Sequence, residues 1–300
     1  MAKARVIIKR RKAVRNIKKI TKVMQMIATS RYQKAFKRAV GTKPYVRKIG
    51  ELVASAVQAI RAGGKAIEHP LLKEIPADKA LERKTAVLVL TSNRGLCGGY
   101  NGNVLRLANH TLIELEAAGD KPELRVSGKK GIAYFRFQRR TITESFTAIG
   151  DKPKYAEIEQ IAGQYMRAYQ EGKITGLKIV YMRFISAGQQ RAGVVDVLPL
   201  AGIAESQVAA VRSVPLSYDF MPSAEELLNE LIPMVVKITV FQAFIEAAVS
   251  EQIARMVAMK AATDNAEKMG KKLTQDYNRA RQSQITSELS ELMGGVEALK

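Results

Sequence analysis

Apolar residues Ile17, Ile20, Met24 and Ile27 recur at alternating spacings of three and four, the stripe with which one helix lies along another. Lys and Arg cover the other faces, so residues 1–62 read as one long helix. Gly41 and Pro44 are expected to bend or interrupt it, because proline lacks the amide donor and clashes with the preceding turn. The pattern resumes at Ile49, Leu52, Val53, Val57 and Ile60, and Gly63-Gly64 ends it, opening a linker over 63–84.

From Thr85 the period changes. Ala86 to Leu90 is a short apolar run closed by Thr-Ser-Asn-Arg-Gly, which predicts a strand, and Val104, Leu107, Leu112 and Leu115 then mark a helix. Further strands are expected at 124–126, 142–146, 177–185 and 194–200, with a helix carrying Ile158, Ile161, Tyr165 and Tyr169 between them. Strands alternating with helices argue a Rossmann-like, three-layer α/β domain over 85–215 with a mostly parallel sheet.

A last helix is expected over 222–294. Ser223 and Glu226 form a capping box, each side chain satisfying an orphan amide of the other's turn. Met234, Ile238, Phe241, Ile245 and Ala248 then follow the four-three heptad spacing of a coiled coil, continued by Ile253, Met256, Leu273, Tyr277, Ala280 and Leu289. At ~1.5 Å per residue the two terminal helices would reach on the order of 85 and 100 Å. They are too long for the inserted domain to bury, so they are expected to pair antiparallel as a coiled coil.

Charge sharpens this picture. The net +21 is concentrated in residues 1–50, which hold 17 Lys or Arg and no acid, leaving +4 for the rest of the chain. A cationic helix of this kind suits a nucleic-acid arm, a membrane-surface helix, a rod inside a sleeve of acidic partners, or simply a solvated face. Few aromatics interleave its cations, which argues against nucleic acid, and its apolar stripe is narrow for lipid. The most apolar stretch, 232–249, is interrupted by Lys237, Gln242 and Glu246, so no bilayer span is expected. No secretory signal is read at the start.

Candidate chemistry is sparse. Cys97 stands alone and only His69 and His110 accompany it, so no zinc-ligand cluster forms and no metal or cofactor is expected. Ser92 to Asn101 follows a strand and precedes a helix, where α/β sheets hold phosphates, but GxxxxGK[ST] and GxGxxG are both absent. Its glycines read as turn and packing residues, Cys97 as a small buried hydrophobe, and the two histidines as surface or capping groups. No paired carboxylates or nucleophile triad stand out.

Several segments together resemble the gamma subunit family of the rotary ATP synthase: Lys19 to Met24 with Met26, Ser92 to Asn101, Ala254 to Asn265, and Tyr277 to Thr286. The resemblance covers essentially the whole chain. It implies a non-catalytic central stalk that couples rotation of a proton-driven c-ring to conformational change at the catalytic beta subunits. The implied partners are the alpha and beta subunits, epsilon and the c-ring, on the cytoplasmic face of a bacterial membrane. By motif position it implies beta-subunit contacts at Met24, Arg281, Gln282 and Thr286. An apolar bearing tip is implied at Leu289, Leu292, Met293 and Val296, and a c-ring contact at Tyr218 and Phe220. Asn93 replaces a common aspartate of that family, and Lys12 lies near a usual serine. A nucleic-acid-binding coiled-coil protein and an independent nucleotide-binding enzyme are the competing readings.

Overall fold

A computed structural model describes residues 2–62, 69–72, 83–150, 152–200 and 223–297. Among these residues ten elements follow in order: α1 (Ala2–Ala62), β1 (Thr85–Leu90), α2 (Tyr100–Ala117), β2 (Glu123–Ser127), α3 (Lys129–Phe137), β3 (Glu144–Phe146), α4 (Tyr155–Gln170), β4 (Gly176–Ser186), β5 (Gln189–Leu198) and α5 (Ala224–Glu297). They form two compact units, one of residues 1–30 with 255–300 and the other of 31–254.

In the larger unit the sheet runs β3-β2-β1-β4-β5, parallel except for β5, which returns antiparallel on β4. All six residues of β1 are buried, because successive side chains point to opposite covered faces. Ala86, Leu88 and Leu90 enter a core formed with Ile158, Tyr165 and Tyr169 of α4, Val53 and Val57 of α1, and Val236 and Phe244 of α5. Val87 and Val89 enter the opposite core, with Val104 and Leu112 of α2 and Ile132 and Phe135 of α3. Three layers result, with the sheet in the middle.

The strands and helices expected from the change of period are present, and α3 is additional. Ser223 caps α5 by accepting the Glu226 amide at 3.2 Å. Neither Pro44 nor Pro233 interrupts its helix. The reason is position: Val40 and Asn229, whose carbonyls lose their amide partner to these prolines, both lie on exposed faces. The Thr42 hydroxyl also donates to the Ala39 carbonyl at 3.0 Å, tying the turn beside Pro44.

Within this unit α5 is buried on two sides. Val240, Ala243 and Phe244 face the sheet. Ile245, Val249 and Ile253 close on Ala39 of α1, and Gln242 accepts from Thr42. An 18-residue window of α5 reaches a mean hydropathy of 1.7, enough by composition to cross a bilayer, yet 56% of it is buried in protein. Its apolar character is that of a core helix.

In the smaller unit α1 and α5 run antiparallel. The Arg11 guanidinium lies 5.2 Å from the Tyr277 ring, Lys18 pairs with Glu267 at 3.0 Å, and Thr263 donates to Thr21 at 2.8 Å. A Cβ built on Gly270 would sit 4.0 Å from Val14, an ordinary van der Waals contact, so Gly270 faces the seam without crowding it. The inward positions of α1 are Ile7, Arg11, Val14, Lys18, Thr21, Gln25 and Ala28, at four-three spacing throughout. The expected stripe is therefore corrected: Ile17, Ile20 and Ile27 are about half exposed. The seam is small and polar instead: Thr21 and Ala28 are buried in it, and the heads of Arg11 and Lys18 reach Tyr277 and Glu267.

Candidate functional surface

The crevice at the carboxyl ends of the parallel strands is where an α/β sheet ordinarily holds a ligand. Here it is filled from within. Ser92 is fully buried, its amide donating to Asn101 Oδ1 at 3.0 Å and its hydroxyl to the Arg94 carbonyl at 2.7 Å. Asn101 Nδ2 donates to Cys97 Sγ at 3.3 Å, so the thiol is a buried packing group within the turn. Leu96 and Gly98 both take positive φ to close that turn.

The first amides of α3 are consumed as well. Lys129 N donates to Asn93 Oδ1 at 3.1 Å, Lys130 N to the Ser92 carbonyl at 3.1 Å, and Gly131 N to Thr91 Oγ1 at 2.9 Å. A phosphate would need those donors free. Phe244, Ala247, Ala248 and Glu251 of α5 lean over the remaining space beside Thr91, Tyr100 and Ser127, leaving about 30 Å³. That is room on the scale of one water. His69 is buried and caps its own turn, its Nδ1 accepting from the Leu71 amide at 3.1 Å, and burial lowers its pKa. His110 lies on the exposed face of α2, 3.2 Å from Glu114.

The surface that remains open is on the helix pair of the smaller unit. Val6, Ile8, Ile17, Ile20, Val23, Met26 and Ile27 are all exposed along α1. On α5 every residue from 285 to 295 is exposed. Arg281 and Gln282 are exposed, and among the described residues neither side chain has a hydrogen-bond partner. The Thr286 hydroxyl donates to the Gln282 carbonyl at 3.0 Å and keeps its lone pairs outward. Gln282, Thr286, Leu289 and Met293 share one face by their four-three-four spacing, with Leu289 and Met293 61% and 64% exposed. Leu292 beside them is 71% exposed.

Met24 does not join this group. It is half-buried at the level of the Thr21 and Thr263 pair, about 30 Å along the axis from Arg281 at ~1.5 Å per residue. Val296 belongs to α5, but its side chain lies outside the described residues, as do Tyr218 and Phe220 entirely. Sequence reading missed a groove of about 440 Å³ between the helices, walled by Arg11, Arg15, Lys18 and Lys271 and floored by Val14 and Gly270. Its signal was the four-three spacing of small and polar residues. Glu267 stands in it with its pKa lowered by the hydrogen bond and charge of Lys18, then by Lys271.

An α/β unit with its ligand crevice filled, together with a helix pair that turns apolar and cationic side chains outward, describes a chain whose open surface suits docking on partners. Comparison with known proteins agrees. A family model described as ATP synthase matches residues 3–299. The ATP synthase gamma chain of Rhodopirellula baltica is 44% identical over 303 aligned positions, covering 100% of both chains, and that of Leptospira biflexa is 38% identical over 299, again covering 100% of both. The fold is also that of a chain in the Euglena gracilis mitochondrial ATP synthase, with a TM-score of 0.66 at 19% identity, covering 99% of this chain and 95% of that one. A chain of the Tetrahymena thermophila mitochondrial ATP synthase central stalk and c-ring gives 0.55 at 21% identity, over 81% and 99%. The chain belongs to the ATP synthase gamma-chain family. It is a non-catalytic subunit, and its role is that of the rotor stalk.

Proposed function

We propose that the open surface of the helix pair is what this stalk presents to the ring of alpha and beta subunits, and that the α/β unit meets epsilon and the c-ring. In this reading residues 1–62 and 222–294 supply the rod and 85–215 the inserted domain. Tyr218 and Phe220 are assigned to the c-ring side. The subunit works as a peripheral protein on the cytoplasmic face of a bacterial membrane and couples proton flow to ATP synthesis, or the reverse.

The observation that carries this reading is the end of α5, where polar and apolar side chains stand exposed with nothing among the described residues to cover them. Arg281 can fork two donors to a carboxylate, and Gln282 and Thr286 add neutral hydrogen bonds on the adjoining face. Leu289, Leu292, Met293 and Val296 supply an apolar bearing, and Met24 a separate contact at a different level. Rotation of an asymmetric surface offers each beta subunit different contacts in turn, so the rod acts as a ligand that discriminates conformational states. Moving one site from 1:99 to 99:1 takes about 5.5 kcal/mol of differential contact energy. A few forked hydrogen bonds and buried apolar side chains are of that size.

The test is co-expression with alpha and beta subunits from the same source, followed by light scattering and an ATPase assay. One copy should join a six-subunit ring, and Arg281→Ala or Gln282→Ala should lower coupled ATPase activity while leaving the fold of the isolated chain intact. A chain that stays apart from the ring and instead shifts nucleic acid in a salt-dependent manner defeats the reading.

A further inference from the structure

Helix α3 has a solvent face that its own fold does not explain. Residues 129–140 hold five cations and no acid. Ile132 and Phe135 anchor the helix on the sheet, while Lys129, Lys130, Ala133, Arg136 and Phe137 all fall on the outward face and are exposed. Phe137 is 87% exposed, above the other exposed large apolar side chains of the chain's described residues.

Three features run against folding economy. Lys129 and Lys130 occupy the first turn, where the helix dipole disfavours cations. Arg139 takes a φ of 57°, a region that favours glycine or asparagine. A phenylalanine is placed where it buries almost nothing. Arg140 has a role in the fold, bonding Glu116 of the neighbouring α2 at 2.7 Å. Among the described residues, the side chains of Lys129, Lys130, Arg136 and Arg139 have no acidic partner.

We infer that this face of α3 is a contact site for an anionic lipid surface. A protein partner anchored on an aromatic residue requires a pocket shaped for it and usually a ring of flanking apolar contacts. Phe137 stands alone among flexible cations, an arrangement that suits a fluid, smeared negative surface into whose headgroup layer one aromatic ring inserts without a preformed pocket. Nucleic acid would call for more than one stacking ring along the cations. Each basic side chain near an anionic membrane strengthens binding about fivefold, so Arg136 and Arg139 together are worth on the order of thirtyfold.

The chain contains no tryptophan, so Phe137→Trp places a single reporter on the patch. The full-length chain carrying it is mixed with phosphatidylcholine vesicles with and without phosphatidylglycerol, and indole emission is read beside co-sedimentation. The emission should shift to the blue only with phosphatidylglycerol. The shift should fade with added salt and weaken by roughly thirtyfold in lipid concentration when Arg136→Gln and Arg139→Gln are combined. Because the cationic α1 can itself hold the chain on vesicles, co-sedimentation with unshifted emission overturns the inference. So does a shift independent of anionic lipid, or one that survives both glutamines. A shift produced by the purified alpha, beta or epsilon subunits without lipid assigns the face to a protein and overturns it equally.

Discussion

Gly128 is the residue on which the junction of β1, β2 and α3 turns, and replacing it with alanine is predicted to be among the most damaging single changes in the larger unit. Its φ is +99°, and a Cβ there would lie 2.2 Å from the Thr91 carbonyl oxygen and 2.7 Å from Thr91 Oγ1. Thr91 cannot retreat cheaply. Its amide donates to the Ser127 carbonyl at 2.8 Å, its hydroxyl to the same carbonyl at 2.8 Å, and Oγ1 accepts from Gly131 N at 2.9 Å. Relieving the clash gives up about three hydrogen bonds at ~1 kcal/mol each, added to ~1 kcal/mol for an L-residue at positive φ, or about 4 kcal/mol in all. Gly119 separates the two costs, since its φ is +77° but a Cβ there meets nothing within 4 Å. Gly119→Ala should therefore cost only ~1 kcal/mol. Urea unfolding of both variants, followed by the near-ultraviolet circular dichroism of the tyrosines, measures the difference. Equal destabilisation of the two would refute the argument, because it would mean that the close approach to Thr91 contributes nothing.

The hydroxyl pair in the seam gives a second prediction. Thr21→Val and Thr263→Val should each cost up to ~1 kcal/mol, and the double variant should be near neutral, since both partners are then apolar and similar in shape; a double-mutant cycle in thermal unfolding reads the coupling. Arg125 bonds Glu123 at 3.0 Å and Glu144 at 3.2 Å while stacking 4.7 Å from the Tyr165 ring. Arg125→Lys should thus cost about 1–2 kcal/mol in urea unfolding despite keeping the charge, because an ammonium can neither fork nor stack. Burial pushes the Tyr165 and Tyr181 phenols well above the usual range. Their contribution is complete below the unfolded phenol's pKa of ~10 and is lost as pH climbs through the raised folded values, so tyrosinate absorbance should report both as silent until alkaline unfolding.

The sheet was legible because β1 and β4 carry apolar runs too short and too β-branched for helices, bounded by turn residues. α3 was not, since only Gly131, Ile132 and Phe135 of its nine residues face inward and so short a segment carries no readable period. The seam of the smaller unit was misread for a physical reason. Thr21 and Ala28 are small enough to bring two helices together without large apolar side chains, and Arg11 and Lys18 reach across to Tyr277 and Glu267, which the sequence pattern does not reveal. For the candidate surface, motif wording pointed to the individual side chains. It could not show that Met24 and Arg281 stand at different levels of the same pair, which depends on antiparallel register.

That register makes neighbours in sequence opposite in consequence. Thr21 is 8% exposed in the seam, whereas Ile20, one residue earlier, is 58% exposed on the outer face with Ile17 and Val23 near it. Ile20→Ala removes side chain that the isolated chain scarcely buries, so its unfolding free energy should change by less than ~0.5 kcal/mol. If a surrounding ring covers that face, the same change gives up ~1–2 kcal/mol of newly buried apolar surface at about 25 cal/mol per Å², enough to raise the dissociation constant of the assembly by roughly tenfold. Ala28→Leu, at a seam position only 1% exposed, should do the reverse: overpacking costs ~1–3 kcal/mol in the isolated chain before any partner is present. Thermal unfolding of the free chain beside titration of the ring with each variant separates the two faces. Loss of stability in Ile20→Ala, with assembly unaffected, would show that the outer stripe serves the chain's own fold and not a partner.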